Sequence, residues 1–192
     1  MTTEWRYVKA FAAHLARCGL VEGETVALLS ESQSRAVLVE TARLAAQSLG
    51  GRVFDVVVPT PPSAHAVPIR STGASQALAG HPCVIAALAQ SALVVDCTVE
   101  GLLHAPELGA ILGGGARVLM ISNEHPEILE RIGWDVDMPR RVELGHAWLV
   151  AAATMRVTSA AGTDLTVRLA GASSAASTGL TNGPGSIAHW PG

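Results

Sequence analysis

The stretch TVALLSESQSRAVLVETARLAAQSLGGRVFDVVV, residues 25–58, decides the fold. It opens with Thr25-Val26-Ala27-Leu28-Leu29-Ser30, an almost wholly apolar run that suits a strand buried on both faces. From about Arg35 to Leu49 the period changes, and Val37, Leu38, Thr41, Leu44, Ala45 and Leu49 recur at helical spacing. Ser32 or Ser34 stands where a helix cap belongs. Gly50-Gly51 stops the helix, and Arg52 to Val58 reads as a second strand. Strand, helix and strand together form one βαβ unit.

The pattern extends in both directions. Upstream, Trp5 to Arg17 reads as an amphipathic helix with Val8, Phe11, Ala12, Leu15 and Ala16 on one side, closed by Cys18-Gly19. Downstream, Pro59 to Ser71 is a proline-rich loop, long enough to be functional. Pro82 to Gln90 is a helix, and Ala92 to Cys97 the third strand. Pro106 to Leu112 is a short helix, Arg117 to Ser122 the fourth strand and Pro126 to Ile132 a helix. A longer helix runs from Asp137 or Met138 to about Met155. The alternation predicts an α/β fold: a doubly wound, mostly parallel sheet with flanking helices.

After Met155 the texture changes. Met155 to Ser159 and Leu165 to Leu169 are two β-rich runs around Ala161-Gly162-Thr163-Asp164, a hairpin signal. Ala170 to Gly185 is rich in Ser, Ala, Thr and Gly and keeps no hydrophobic period. Ser186 to Gly192 reads as the opening of something further. The expected division is an α/β N-terminal domain over 1–155, then a hairpin and linker over 156–192. That linker is expected to begin a second, metal-binding domain beyond the chain.

Composition limits the function classes. Of 192 residues, 49% are apolar and only 15% charged, against about 25% charged in ordinary domains. Such a chain can bury enough apolar area to order itself, so it is not a disordered protein. Its longest apolar stretches, such as Ala147 to Ala153, fall far short of the roughly 18 residues a membrane span needs. Net charge is -3, and no basic patch marks a nucleic-acid binder. No charged n-region and apolar h-region open the chain, so the expected compartment is the cytoplasm. The charge-poor surface predicts self-association into a homo-oligomer. Cys18, Cys83 and Cys97 form no CxxC pair and read as small buried hydrophobes.

Several residues could carry chemistry. Gly113-Gly114-Gly115 lies after a helix and before a strand, the reverse of a phosphate cradle, and reads as a helix stop. Ser30-Glu31-Ser32-Gln33-Ser34 follows the first strand, where α/β proteins place ligands. It could cap a helix or present N–H groups to an anion. His125-Pro126-Glu127 has the spacing of a metal-binding pair but no third ligand, and reads as a helix start. His14 and His146 read as ordinary helix residues. Glu100 and His104 lie just past the third strand, at the end of the sheet where reactive side chains sit. Histidine is the side chain suited to accept a proton near neutral pH. His189, in His189-Trp190-Pro191-Gly192, reads either as a ring presented by a rigid turn or as part of a frayed tail.

Four stretches together resemble one family. They are Cys18 to Ser30, Gly51 to Pro59, Glu100-Gly101-Leu102-Leu103-His104-Ala105-Pro106, and Gly185 to Gly192. They are similar to the N-terminal part of the 2,5-dihydroxypyridine 5,6-dioxygenases, ring-cleaving enzymes of nicotinate breakdown. That family is in turn similar to the M29 metallo-aminopeptidases, which share the opening helix, turn and strand. The segments around His104 and His189 point to the dioxygenase side. The resemblance implies a non-haem Fe(II) held by two histidines and an aspartate from a C-terminal domain. No His-x-Asp occurs here, so no metal ligand is assigned to this chain. It implies that His104 is the base toward a substrate hydroxyl and that His189 lies on the substrate side. The implied substrates are a dihydroxypyridine and dioxygen, the implied product N-formylmaleamate, and the implied partner the missing C-terminal half or a second chain. An M29-like peptidase fragment and a non-catalytic binding module of the same fold are the alternatives.

Overall fold

A computed structural model describes residues 3–62, 72–181 and 183–190. Residues 63–71 of the proline-rich loop, and Pro191 and Gly192, lie outside the described residues.

The apolar run after Glu24 forms strand β1 (Thr25–Glu31), whose side chains are buried from Val26 onward. Helix α1 (Trp5–Arg17) precedes it, and helix α2 (Ala36–Ser48) leads to β2 (Arg52–Val58). Then follow α3 (Pro82–Ala89), β3 (Leu93–Cys97), α4 (Leu108–Gly113), β4 (Arg117–Met120) and α5 (Pro126–Ile132). The chain closes with α6 (Met138–Ala151), β5 (Thr154–Thr158), β6 (Asp164–Arg168) and β7 (Ile187–His189).

Five strands form one parallel sheet in the order β2-β1-β3-β4-β7. Helices cover both faces, as expected for a doubly wound fold. On one face α1, α2 and α5 bury Phe11, Leu15, Leu38 and Leu129 against Val26, Leu28, Val95 and Leu119. On the other, Leu88 of α3 and Ile111 of α4 join Ala27, Leu29, Val94 and Val118. Each fully buried leucine of these cores contributes about 2 kcal/mol by leaving water. The chain winds from β1 to β2 on one side and then crosses to β3 on the other. The β1–β3 pair is therefore the switch point, where α/β sheets open a crevice at their carboxyl ends.

The structure divides into two compact units, 1–133 with 179–192, and 134–178. The second holds α6 and the antiparallel β5–β6 hairpin. Its helix ends at Ala151, four residues before the expected Met155, because the chain turns extended at Ala152 to enter β5. The hairpin runs through Thr154, Val157, Thr166 and Val167, residues whose branched side chains suit strands. The position 155 falls inside this unit. Residues 187–189, expected to open something further, are an edge strand of the first sheet, paired with β4.

Three smaller expectations are corrected. Ser32 and Ser34 do not cap α2, whose cap residue is Arg35 and has no side-chain cap bond. The fourth strand stops at Met120, and Ser122 takes a positive φ of 57°. Cys83 is exposed, while Cys18 and Cys97 are buried as expected. Among the described residues, no helix is long and apolar enough to cross a membrane.

Candidate functional site

The site is assembled at the carboxyl edge of the sheet. Register places Leu29, Asp96, Met120 and His189 side by side across β1, β3, β4 and β7. In a parallel sheet, partners in register project from the same face. That face is the one lined by Leu29, Val94 and Val118, and Ile187 packs on it two residues before His189. Glu31, two residues beyond Leu29, continues the same row. One face of the switch point thus receives Glu31 and Asp96, with His189 two strands away.

Asp96 interrupts an otherwise apolar strand, and its side chain is fully buried. Its Oδ1 accepts hydrogen bonds from the Thr98 backbone N–H (2.9 Å) and hydroxyl (2.6 Å), and its Oδ2 accepts from Leu102 N–H (2.8 Å). Burial pushes its pKa up to about 6; the donors pull it down and the charge of Glu31 adds to the rise. A buried carboxylate needs such donors, since an unpaired one is costly in a dry interior. The consequence is local. The loop after β3 curls back over its own strand end and carries Leu102 and Ala105 into the core.

His104 stands on this loop with its side chain exposed. Its position is set by main-chain bonds to the segment 72–75. Gly73 N–H donates to Glu100 O, Ser75 N–H to Gly101 O, and His104 N–H to Gly73 O. Thr72 N–H also donates to the Glu100 carboxylate at 3.0 Å. Gly101 makes the loop possible: its φ is +79°, and a Cβ there would lie 2.5 Å from both Met120 Sδ and Ser122 Oγ.

Glu31 closes the arrangement from below and is 4% exposed. Its Oε1 accepts from the Ser75 hydroxyl and from Val99 N–H, each at 3.2 Å, and Oε2 has no hydrogen-bond partner among the described residues. Its own N–H donates to Ser34 Oγ, which donates onward to Cys97 O, both at 2.7 Å. Ser34 therefore ties the ends of β1 and β3. The turn does not present a free anion cradle: Gln33 N–H donates to Thr60 Oγ1, Ser34 N–H to Glu31 O and Arg35 N–H to Asn123 Oδ1.

His189 is half-buried, and the residue after it is anchored. Trp190 N–H donates to Met120 O at 2.8 Å. The indole is packed between Phe11, edge-on at 4.9 Å, and His14, face to face at 4.0 Å. His189 and Trp190 are therefore held in place and do not belong to a frayed segment. His14 is a structural residue of α1: it is buried, its Nε2 lies 2.8 Å from Gly179 O, and desolvation lowers its pKa to about 4. It stays neutral at physiological pH, so that nitrogen carries the proton and donates to the carbonyl.

The remaining sequence candidates are structural. His125 Nδ1 accepts from Glu127 N–H at 3.2 Å and caps α5. Gly113-Gly114-Gly115 ends α4 ahead of β4. His146 is half-buried, its Nε2 beside the Ser174 hydroxyl at 3.0 Å. Among the described residues, no group of three or more His, Cys, Asp or Glu side chains could hold a metal ion. The described part of this chain does not fit a two-histidine, one-carboxylate iron site.

Asp96 escaped the sequence reading, and Glu31 entered it only as part of the 30–34 turn, as a helix cap or anion cradle and not as a buried acid. A signal existed for the first: a charged residue inside a strand buried on both faces must be satisfied by something close.

Comparison with known proteins extends these observations. Residues 6–192 match the family NicX, 2,5-dihydroxypyridine 5,6-dioxygenase. A 2,5-dihydroxypyridine 5,6-dioxygenase of Pseudomonas putida KT2440 is 34% identical over 172 residues, which is 88% of this chain and 48% of that protein. The solved structure of 2,5-dihydroxypyridine dioxygenase from Pseudomonas putida KT2440 superposes with a TM-score of 0.81 at 31% identity. The match covers 96% of this chain and 53% of the solved one, so this chain spans about half the length of these relatives.

Proposed function

This chain belongs to the 2,5-dihydroxypyridine 5,6-dioxygenase family, and on that premise we propose that it supplies part of a site that opens a dihydroxypyridine ring with dioxygen, giving N-formylmaleamate. One observation carries the reading. His104 is an exposed imidazole on a braced loop at the carboxyl end of β3, beside the switch point, where α/β sheets bind ligands.

In this reading an imidazole nitrogen of His104 accepts the proton of a ring hydroxyl, leaving the substrate anionic and more electron-rich. His189, on the same face of the sheet, contacts the substrate from its other side. Asp96 and the 72–75 segment hold the loop so that the imidazole need not be ordered at the moment of reaction. The iron that the family resemblance implies takes its ligands from outside these 192 residues, and no step performed by this chain passes through it.

Binding and proton acceptance are testable without turnover. The purified chain is titrated with 2,5-dihydroxypyridine and followed by thermal shift, because a ligand of the folded state raises its stability. The expected result is a concentration-dependent shift that weakens about tenfold in His104→Ala, the cost of one charge-assisted hydrogen bond. No shift in the unmodified chain, or an equal shift in the variant, would overturn the reading.

A further inference from the structure

Glu31 is a buried acid at the switch point that the proton transfer does not use. It is 4% exposed and sits at the last position of β1. One oxygen serves two loops at once. Oε1 accepts from the hydroxyl of Ser75, in the segment that pairs with the His104 loop, and from Val99 N–H, within that loop itself. Both segments are then joined again further out, through Gly73, Glu100, Gly101 and His104. Glu31 is thus the point where the two segments are fastened to the sheet, while Asp96 fastens only the 98–102 turn. A carboxylate is costly to bury. An apolar residue would fill the position, but it could not hold two donors from separate segments.

We propose that Glu31 is a positioning residue for His104, acting through Ser75 and Val99 to hold the paired 72–75 and 98–104 segments over the switch point. This rests on His104 being the proton acceptor, but the positioning itself can be read without that assumption. Removal of the carboxylate frees Ser75 Oγ and Val99 N–H together, so both segments lose their common anchor. His104 then samples many positions, and the orientation that a near-attack geometry requires is lost.

The test uses the full chain and three variants, Glu31→Ala, Glu31→Gln and Ser75→Ala. Glutamine keeps a carbonyl oxygen at the Oε1 position, and Ser75→Ala removes one hydroxyl donor without touching β1. Amide hydrogen exchange is measured at Val99, Ser75 and His104, and affinity for 2,5-dihydroxypyridine is measured beside it. Leu15→Ala serves as a control that lowers stability from the opposite face of the sheet. The expected result is exchange at Val99 and His104 faster by about tenfold in Glu31→Ala, with a roughly fivefold loss of affinity. Glu31→Gln restores most of both, and Ser75→Ala gives an intermediate effect at His104.

Unchanged exchange at His104 in both Glu31→Ala and Ser75→Ala overturns the positioning role, as does an equal affinity loss in Leu15→Ala. If Glu31→Ala fails to fold, Ser75→Ala decides by the same readout. A chain in which exchange responds as expected while His104→Ala binds the ligand normally keeps Glu31 as the anchor of the loop and removes the proton-acceptor reading. The two failures are therefore distinguishable.

Discussion

The imidazole of His14 lies flat on the indole of Trp190, with ring centroids 4.0 Å apart and planes within 4°. One residue of the pair is on the first helix and the other follows the last strand, so the stack holds the edge strand that carries His189. The stack also has a pH signature. His14 has its pKa lowered to about 4 by desolvation, against 6.5 when free. Between these values the unfolded chain binds more protons than the folded one. Stability from this residue is therefore complete above about pH 6.5 and is lost as pH falls toward 4, by about 3 kcal/mol in all. Urea unfolding at pH 7 and pH 5 should show a smaller loss in His14→Phe than in the unmodified chain. Equal losses in the two would refute the assignment.

Asp96 runs the other way. Its pKa is raised to about 6 by burial, against 3.8 when free. The folded state holds the extra proton between these values, so its contribution is complete below about pH 3.8 and is lost as pH rises toward 6. Over the window from about 4 to 6 it opposes His14. Asp96→Asn should make stability climb more steeply with pH across that window than it does in the unmodified chain. The variant should also be less stable at every pH, because one amide group replaces an acceptor of the Thr98 and Leu102 donors. Parallel pH profiles for the two proteins are the outcome that counts against this.

Gly101 tests whether the loop is tightly constrained. Alanine there meets both a positive φ and two atoms of the β4 end. A destabilisation of about 1–3 kcal/mol is expected from the backbone conformation alone. Relief of the clash would shift the loop, and with it His104. Thermal unfolding and ligand titration on Gly101→Ala should show both losses. A variant with normal affinity would mean that the loop does not govern the position of His104.

The thiols separate by environment. Cys97 has its pKa raised well above 9 by burial, Cys18 is raised for the same reason, and Cys83 is exposed on α3. The thiolate is the reactive form. A thiol reagent at pH 8 should label Cys83 in the folded protein and reach Cys18 and Cys97 only after denaturant is added. Mass spectrometry of the labelled peptides reads the result directly, and rapid labelling of Cys97 without denaturant contradicts its burial.

Much of this architecture is legible along the chain, because βαβ units announce themselves locally. The apolar run at Thr25, the helical period from Arg35 and the glycine stop at Gly50 are each written within a few residues. Edge strand 187–189 is not written that way. Three residues, Ile187-Ala188-His189, form a strand only because β4 offers its free edge. The candidate site is legible in part for the same reason. His104 can be found from its place after a strand, which is a local fact. The 30–34 turn that holds Glu31 is found in the same way, but the bonds of Glu31 to Ser75 and Val99, 44 and 68 residues away, are not. Nor does the helical period of α1 reveal that His14 meets Trp190 across the whole length of the chain.

The iron implied by the family resemblance gives the sharpest prediction about this chain. A mononuclear oxygenase site needs three protein donors with open positions beside them. Among the described residues no such group of three exists. The local His-x-Glu pair is already used, with His125 Nδ1 accepting from the Glu127 backbone. His104 and His189 could offer two imidazoles at most, and neither is accompanied by a third donor in the described structure. The purified chain should therefore lose added Fe(II) on desalting, with metal analysis giving far below one iron per chain. Anaerobic handling keeps the metal ferrous, so weak retention is not oxidation in disguise. Retention of about one iron per chain would place a complete metal site within these residues. The contribution of His104 would then have to be re-read as ligation in place of proton acceptance, which His104→Ala would report as lost iron.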